Sequence, residues 1–178
     1  FYLNDLHNFF KNSNNIDGVT LNNELTGLLK LFVILYSDDT VILSESAIDL
    51  QNAINLYENY CNSWKLTVNT SKTKVLIFSK GRPPECNFTF HNESLEIVDE
   101  FKYLGITFSR SGGFAKAKNH IANQATKAMY FLIKKSKNLQ LPIDLQIDLF
   151  NKLIKPILLY GCECWGYGNN NVLEKVQL

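Results

Sequence analysis

Two short apolar runs on either side of Tyr36-Ser37-Asp38-Asp39 constrain the fold of this chain more than any other feature. The first run, Leu28 to Leu35, is nearly continuous and includes β-branched residues, and the second run is Thr40 to Leu43. Short apolar runs of this kind are typical of buried strands. The residues between them are therefore predicted to form a hairpin turn, which would hold two adjacent carboxylates at a tight bend.

The sequence after this hairpin predicts an α+β region. Ser46 and Asp49 have the spacing of a capping box, and the apolar residues that follow recur with helical periodicity as far as Trp64. This pattern predicts a helix packed on a sheet. Upstream, the sequence predicts the end of a helix at Phe1 to Phe10 and a turn at Asn12 to Gly18. Further strands are predicted at Lys74 to Phe78, Phe88 to Phe90, Leu95 to Val98 and Tyr103 to Phe108, with a turn at Gly81 to Pro84.

Long helical segments follow Ser111-Gly112-Gly113. The first is predicted at about Phe114 to Asn138 and the second at Pro142 to Tyr160, with Pro142 in the first turn. Pro156 is expected to kink the second helix or to end its regular hydrogen bonding. We therefore expect a domain boundary near residue 112, with domains at 1–112 and 113–178. Because the chain opens without Met and closes in an apparent helix, we expect it to be truncated at both ends.

Other residue patterns favour ordinary packing over chemistry. Ala117, Ile121, Ala125, Ala128 and Leu132 recur at helical spacing and are predicted to be core. Trp165 and Tyr167 are expected in a core or an interface. Cys162-x-Cys164 lacks further Cys or His at ligand spacing, so the four cysteines are interpreted as free thiols.

The chain carries no apparent membrane or secretion signal. No stretch approaches the roughly 18 to 20 apolar residues that a membrane span needs, and Phe1 to Asp5 has no basic region before an apolar core. We expect a soluble intracellular protein, in the nucleus or the cytoplasm.

The charge is unevenly distributed although the net charge is only +1. Phe101 to Ile143 contains eight Lys or Arg residues and no Asp or Glu, whereas the rest of the chain has ten basic residues against 17 acidic ones. Such segregation is typical of chains whose basic part contacts something anionic, often nucleic acid or a membrane surface.

Asp38 and Asp39 are the candidates for metal chemistry. Phosphoryl transfer to a growing strand uses two Mg²⁺ ions about 4 Å apart, which requires several converging carboxylates. Mg²⁺ prefers hard oxygen ligands, and a short Asp side chain on a rigid turn suits it. Adjacent residues of an extended chain point to opposite faces, so Asp38 is favoured as the stronger ligand. The alternative is that two Asp residues are ordinary hairpin-turn chemistry.

Several segments resemble, in order and spacing, the reverse transcriptases of non-LTR (LINE-type) retrotransposons. Phe1 to Leu6 resembles the helix after the family's template-gripping motif. Leu35 to Thr40 resembles its Y-x-D-D box, in which alanine is more usual than Ser37. Trp64 to Lys74 resembles the loop and strand that approach the incoming nucleotide.

The resemblance continues into the C-terminal part of the chain. Phe101 to Gly105 resembles the primer-grip hairpin of the family. Pro156 to Gly161, with Trp165-Gly166, resembles the helix that closes the thumb. The succession therefore extends over essentially the whole chain.

The resemblance implies a fold, an activity and a set of partners. The fold would be a partial right-hand polymerase palm, an antiparallel sheet with packed helices, followed by an all-helical thumb. The parent protein would be an RNA-directed DNA polymerase that extends a DNA primer on an RNA template. Its cofactor would be Mg²⁺ or Mn²⁺, and its other ligands dNTPs and the RNA–DNA duplex.

The resemblance also implies roles for individual residues of the palm. Asp38 and Asp39 would be metal ligands. Lys72 matches the family's nucleotide-side lysine, which would hold or protonate the leaving pyrophosphate. Lys74 is its rival for this role. A solvated lysine at a strand start is the alternative reading of either residue.

A second group of residues would contact nucleic acid. Gly105 suits a close approach of the backbone to a primer, with Phe101 and Tyr103 as packing or stacking groups, although a strand in a core also explains them. A row of basic side chains would contact duplex phosphates, and a solvated helix face is the alternative. The row comprises Lys116, Lys118, His120, Lys127, Lys134, Lys135 and Lys137.

The family's upstream palm carboxylate and its Gly-rich template-gripping motif are not in this sequence. Two adjacent Asp residues without a third carboxylate would bind divalent metal weakly, so the chain in isolation is predicted to be inactive. The competing hypothesis is a non-catalytic nucleic-acid-binding relic that only grips duplex. A plain structural domain with a chance Asp-Asp turn does not explain the charge segregation.

Overall fold

The structure is a computed structural model, and it describes residues 5–12, 18–23, 27–31, 33–82, 84–168, 170–174 and 176. The first four residues of the predicted helix end at Phe1 to Phe10, most of the predicted turn at Asn12 to Gly18 and the chain end at Gln177-Leu178 lie outside these residues. The chain divides into two compact units. The first unit comprises residues 1–75 and 84–98, and the second comprises residues 76–83 and 99–178.

The described strands form four small sheets. Three sheets are two-stranded, in the pairs β1–β2, β3–β4 and β8–β9, and the fourth has the order β5-β7-β6. The strands are β1 Val19–Asn23, β2 Gly27–Leu31, β3 Val33–Tyr36, β4 Asp39–Ile42, β5 Lys74–Leu76, β6 Phe88–Phe90, β7 Glu93–Val98, β8 Glu100–Tyr103 and β9 Ile106–Ser109.

Helices occupy most of the remaining described residues and dominate the C-terminal part. Together with the sheets they make the chain a mixed α and β protein, as predicted. The helices are α1 Leu6–Lys11, α2 Ala47–Trp64, α3 Ala115–Asn138, α4 Ile143–Leu149, a π-helical segment Phe150–Ile154, α5 Lys155–Leu158, α6 Cys162–Trp165 and α7 Asn171–Glu174.

The predicted hairpin is present, but its first arm is shorter than the apolar run. β3 and β4 pair antiparallel from Val33↔Ile42 to Tyr36↔Asp39. The earlier part of the run belongs to β2, which pairs with β1 instead. The apolar content of the run predicts one strand because it does not mark where one strand ends and the next begins.

Helix α2 begins where the capping box predicts. The Ser46 hydroxyl accepts a hydrogen bond from the Asp49 N–H at 3.1 Å, so one of the free N–H groups of the first turn is satisfied. The helix also holds the edge strand β6. The Gln51 side chain donates to the Thr89 carbonyl and accepts from the Thr89 N–H, each at 3.0 Å, so the unpaired edge of that strand is covered.

The core of the first unit joins α1, β3 and α2. Leu6, Phe10, Val33, Ala53 and Tyr60 are buried together, with exposures of 6% or less. The partly buried side chains packed against them include Leu35 and Ile42 of the hairpin. One face of the β3–β4 hairpin is therefore fixed against the helices.

The prediction of one strand from Tyr103 to Phe108 is wrong. The structure has a hairpin, β8–β9, in which Tyr103 pairs with Ile106 across a two-residue turn. Leu104 and Gly105 in the turn both have positive φ angles, +46° and +82°. Positive φ at both central residues is the signature of a type I′ turn, which matches the twist of paired strands.

The second unit has its own core around α3. The predicted apolar stripe is confirmed: Ala117, Ile121, Ala125 and Leu132 are buried, and Ala128 packs against them. Trp165 is buried as predicted and lies in this core. Other members come from the helices that follow and from β9, including Ile106, Ile154 and Leu158.

Pro156 interrupts the next helix, as predicted. Proline lacks an N–H and cannot complete the α-helical ladder, and the helix passes through the π-helical segment immediately before α5. The chain then turns at Gly161, where φ is +66° and an added Cβ would collide with Ile106. Tyr167 is 89% exposed and so does not belong to a core, and the alternative expectation that it lies in an interface stays a prediction.

Candidate functional site

The two carboxylates lie at the tip of the β3–β4 hairpin. Ser37 and Asp38 form the two-residue turn, and Asp39 is the first residue of β4, opposite Tyr36. Ser37 has φ +57°, a conformation that costs a non-glycine residue about 1 kcal/mol. Both Asp side chains are exposed. The sequence thus folds locally so that the turn presents carboxylates rather than burying them.

The pairing register decides which face of the hairpin carries Asp39. Val33 and Leu35 point to the core, whereas Ile34 and Tyr36 are exposed by 40% and 61%. Directly opposed residues share a face, so Asp39 lies on the exposed face with Tyr36. Thr40 lies on the other face, where its hydroxyl accepts a hydrogen bond from the Tyr57 hydroxyl at 3.4 Å.

These residues fit a divalent cation as part of a ligand set. Two exposed carboxylates on a turn supply the hard oxygen donors that Mg²⁺ prefers. Among the residues that the structure describes, no group of three or more His, Cys, Asp or Glu is arranged to bind a metal ion. The choice of Asp38 over Asp39 as the stronger ligand stays a prediction.

The candidate nucleotide-side lysines have different surroundings. Lys74, at the start of β5, forms an ion pair with Glu96 of β7, with a distance of 2.6 Å between Nζ and Oε2. Lys72 is exposed and lies in the preceding turn, with its backbone N–H 3.2 Å from Asn69 Oδ1. The Lys72 side chain forms no ion pair with any residue that the structure describes. The structure therefore separates two residues that the sequence left as rivals.

The predicted primer-grip residues lie on the β8–β9 hairpin. Tyr103 is half-buried, whereas Gly105 is exposed at the turn. The position of Gly105 also has a structural cause, since an added Cβ would come within 3.1 Å of the Tyr160 ring. The Tyr160 hydroxyl donates a hydrogen bond to the Leu104 carbonyl at 2.7 Å. Gly105 thus allows close packing inside the second unit, whatever its role toward a primer.

The predicted basic row does not form one surface. Lys116, His120, Lys127 and Lys134 are four or seven residues apart on α3, so they follow one side of the helix. We call this set the α3 basic stripe. Lys116 in this stripe is ion-paired with Glu100.

Of the other lysines in the predicted row, Lys118 and Lys135 lie off the stripe, whereas Lys137, three residues after Lys134, lies beside its C-terminal end and is exposed. The Lys118 ammonium lies 5.8 Å from the centre of the buried Trp165 ring, toward the core side of the helix. The Lys135 ammonium lies 5.6 Å from the centre of the Phe131 ring. Lys127 and Lys134 are therefore the exposed members best placed for an external partner.

Two aromatic residues beside the stripe were missed by the sequence analysis. Tyr130 and Phe131 are 70% and 64% exposed. Each lies three or four residues from both Lys127 and Lys134, so both rings adjoin the α3 basic stripe. The signal was present in the sequence, because neither aromatic falls on the apolar stripe of the helix.

In the part of the chain that the structure describes, none of the helices combines the length and the apolar character that a membrane crossing requires. No solved structure matches the chain.

Comparison with known proteins assigns the family. The family model described as "Reverse transcriptase (RNA-dependent DNA polymerase)" matches residues 2–108. The RNA-directed DNA polymerases from mobile element jockey of Drosophila funebris and Drosophila melanogaster are 23% and 24% identical to this chain, over 88% and 83% of its length. A putative uncharacterized transposon-derived protein of Caenorhabditis elegans is 24% identical over 80% of the chain.

The chain spans 18% and 17% of the two jockey polymerases and 51% of the worm protein. The family match covers more than half of the chain and includes the Tyr36 to Asp39 hairpin. The resemblance inferred from the motifs is thereby confirmed, and the chain belongs to the reverse transcriptase family, of the type found in non-LTR retrotransposons.

Proposed function

We propose that this chain is part of an RNA-directed DNA polymerase that extends a DNA primer on an RNA template. The observation that carries the proposal is the β3–β4 hairpin, which exposes Asp38 and Asp39 at its tip while its other face packs on the helices. Such a rigid support keeps ligand oxygens in place. Residues 1–112 would form part of the palm, and residues 113–178 would form the thumb.

Asp38 and Asp39 would serve as two ligands of a divalent-cation site completed by a carboxylate from the rest of the protein. A pair of Mg²⁺ or Mn²⁺ ions bound there would activate the primer hydroxyl and offset charge on the triphosphate. The exposure of both carboxylates leaves room for such a completed site. Without the third carboxylate the isolated chain would bind metal weakly and would not polymerise.

Lys72 would act on the incoming dNTP as the residue that holds or protonates the leaving pyrophosphate. The ion pair of Lys74 with Glu96 supports this choice, because an ammonium held by a carboxylate is less available to a phosphate. A flexible four-carbon stem allows the Lys72 ammonium to follow the leaving group.

The second unit would hold the RNA–DNA duplex. Lys127 and Lys134 of the α3 basic stripe are exposed and would contact backbone phosphates, which gives affinity without sequence preference. Tyr130 and Phe131 would add apolar contact with the sugars. Gly105, at an exposed turn, would allow the primer strand to approach the β8–β9 hairpin.

A non-catalytic relic that only binds duplex is the second candidate. The observation in its favour is that the described residues bring together no third metal-ligating side chain, whereas the stripe is intact. Both candidates predict that the 178-residue chain alone binds duplex without polymerising. Only the activity of the full-length protein therefore distinguishes them.

The experiment compares the 178-residue chain with the full-length protein that carries it. RNA-templated DNA primer extension is measured with Mg²⁺, and duplex affinity is measured for both. We expect extension by the full-length protein only and salt-sensitive binding by both. Duplex binding without extension by the full-length protein would favour the relic, and no binding by either would contradict both candidates.

A further inference from the structure

The turn that carries Lys72 is organised around one residue, Asn69, through both its side chain and its carbonyl. The Asn69 Oδ1 atom accepts hydrogen bonds from the Ser71 hydroxyl at 2.6 Å and the Lys72 N–H at 3.2 Å. The Asn69 carbonyl accepts from the N–H groups of Lys72 and Thr73, at 3.1 and 3.0 Å, and from the Thr73 hydroxyl at 2.9 Å. An Asn side chain that bonds to backbone groups two or three residues ahead fixes the turn locally.

Side-chain contacts with β7 hold both ends of this turn. The Thr70 hydroxyl donates a hydrogen bond to Glu93 Oε2 at 2.5 Å. Lys74 is ion-paired with Glu96 of the same strand at 2.6 Å. The segment between these anchors contains Lys72, so its backbone is held while its side chain stays exposed.

This arrangement assigns different tasks to two lysines that are two residues apart. Glu96 occupies the Lys74 ammonium, which makes Lys74 an anchor of the turn. Asn69 fixes the backbone from which the Lys72 side chain projects. The backbone part of the entropy cost of placing an ammonium next to a phosphate is thus met before the substrate binds.

We propose that Asn69 is a positioning residue for Lys72 in the polymerase reaction, and that Glu96 directs the task to Lys72 by engaging Lys74. The inference rests on the proposed function and adds to it the residue that orients the nucleotide-side lysine. Asn69 does not touch the triphosphate. It acts by holding the Lys72 backbone where the ammonium reaches the leaving pyrophosphate.

The test uses the full-length protein with an RNA template, a DNA primer and the next correct dNTP, and measures single-nucleotide incorporation. The variants are Asn69→Ala, Lys72→Ala and the double variant. We expect Lys72→Ala to lower kcat by about 100-fold, the lower range for a general acid, and Asn69→Ala by ~10- to 100-fold, as for a misplaced group. In the Lys72→Ala background, Asn69→Ala should have no further effect on kcat, because the group that it positions is gone.

Two controls separate positioning from loss of structure. Asn69→Asp keeps an oxygen acceptor at the Oδ1 position and should retain activity within about threefold, since Asp and Asn form the same turns. Asn52→Ala, at an exposed position of α2, should leave kcat unchanged. The melting temperature of each variant shows whether it is folded.

Multiplicative effects of Asn69→Ala and Lys72→Ala on kcat would overturn the inference, because a residue that acts only through Lys72 has nothing left to position once Lys72 is replaced.

Failure of the inference is distinguishable from failure of the proposed function. If Asp39→Asn abolishes incorporation but Lys72→Ala leaves kcat unchanged, only the role of Asn69 and Lys72 is overturned. If Asp39→Asn leaves incorporation intact, the proposed function itself fails.

Discussion

The hydroxyl of Tyr160 donates a hydrogen bond to the carbonyl oxygen of Leu104, 2.7 Å away. Leu104 is in the β8–β9 turn, whereas Tyr160 lies 56 residues further along the chain, after α5. The bond connects the hairpin to the helical part of the second unit. It also explains why the turn packs so closely against an aromatic ring that the next residue, Gly105, has no room for a larger side chain.

Replacement of Gly105 by Ala should destabilise the second unit for two reasons. The residue has φ +82°, and its new Cβ would lie 3.1 Å from Tyr160 Cε1. We expect a loss of about 2 kcal/mol in the free energy of unfolding, of which roughly 1 kcal/mol comes from the backbone conformation. Urea unfolding of the 178-residue chain measures this loss in the free energy of unfolding.

Gly112→Ala is the matched control for this prediction. Gly112 has a similar φ of +71°, but no atom lies within 4 Å of its added Cβ. It should therefore show only the backbone cost of about 1 kcal/mol. Equal losses for the two variants would mean that the Tyr160 contact does not constrain residue 105.

The stability of the first unit should fall in alkaline solution. Burial, and then the hydrogen bond that its hydroxyl donates to Asp5, raises the pKa of Tyr60 above its ordinary value of 10.0. Burial also raises the pKa values of Tyr57 and Cys61. A raised pKa means that the folded state keeps a proton that the unfolded chain loses. The stabilisation that each protonated group gives the folded state is therefore complete below its unfolded pKa. For Tyr60 this stabilisation is lost as pH rises through 10 toward the folded pKa.

Tyr60→Phe tests this prediction. The variant loses the bond to Asp5, worth about 1 kcal/mol at neutral pH, and should show a weaker decline in stability between about pH 9 and pH 11 because it has no proton to lose. Tyr167→Phe, at a side chain that is 89% exposed, should keep the wild-type pH dependence. An unchanged decline in Tyr60→Phe would show that Tyr60 does not cause it.

The α3 basic stripe should determine how duplex affinity depends on salt. Each lysine that contacts a phosphate contributes about 0.9 to the slope of log affinity against log salt concentration. Lys127→Ala and Lys134→Ala should each reduce the slope by about that amount. Lys118→Ala should reduce it less, because the Lys118 ammonium lies over the Trp165 ring.

The aromatic residues beside the stripe should behave differently in the same binding measurement. Tyr130→Ala and Phe131→Ala remove apolar contact but no charge, so affinity should fall while the salt slope stays the same. If Lys118→Ala has the largest effect on the slope and the Tyr130 and Phe131 variants have no effect on affinity, another side of α3 is the binding surface.

The sequence predicted those helices and strands whose formation depends on neighbouring residues alone. The β3–β4 hairpin and α2 follow from apolar runs and from the Ser46 cap, and the apolar stripe of α3 follows from its periodicity. The resemblance of Phe101 to Gly105 to a primer-grip hairpin indicated a hairpin here, but the residue pattern did not give the β8–β9 turn. Leu104 is not a typical turn residue, although its positive φ is what reverses the chain. That conformation is supported by the bond from Tyr160, which is remote in sequence.

The candidate site was only partly predictable for the same reason. The sequence identified Asp38 and Asp39, but the face on which Asp39 lies depends on its pairing with Tyr36. It matched Lys72 to the nucleotide-side lysine but left Lys74 as its rival, because the partner of Lys74, Glu96, comes from a strand that is 22 residues away along the chain. Which side chains share a surface is decided by tertiary contacts.

Asp38 and Asp39 are proposed to hold the cations of a polymerase, and single-turnover primer extension tests this role. The full-length protein is bound to saturating RNA template and DNA primer, and one dNTP is added with Mg²⁺. Asp38→Asn and Asp39→Asn keep the size of each side chain and remove its charge, and Glu163→Gln, at another exposed acid, is the control. We predict that each Asp variant loses about 100-fold or more of the wild-type rate, equivalent to ~2.7 kcal/mol in the barrier. Duplex affinity should be unchanged, and the control should extend the primer at the wild-type rate. Extension by both Asp variants at the wild-type rate would contradict the proposed role.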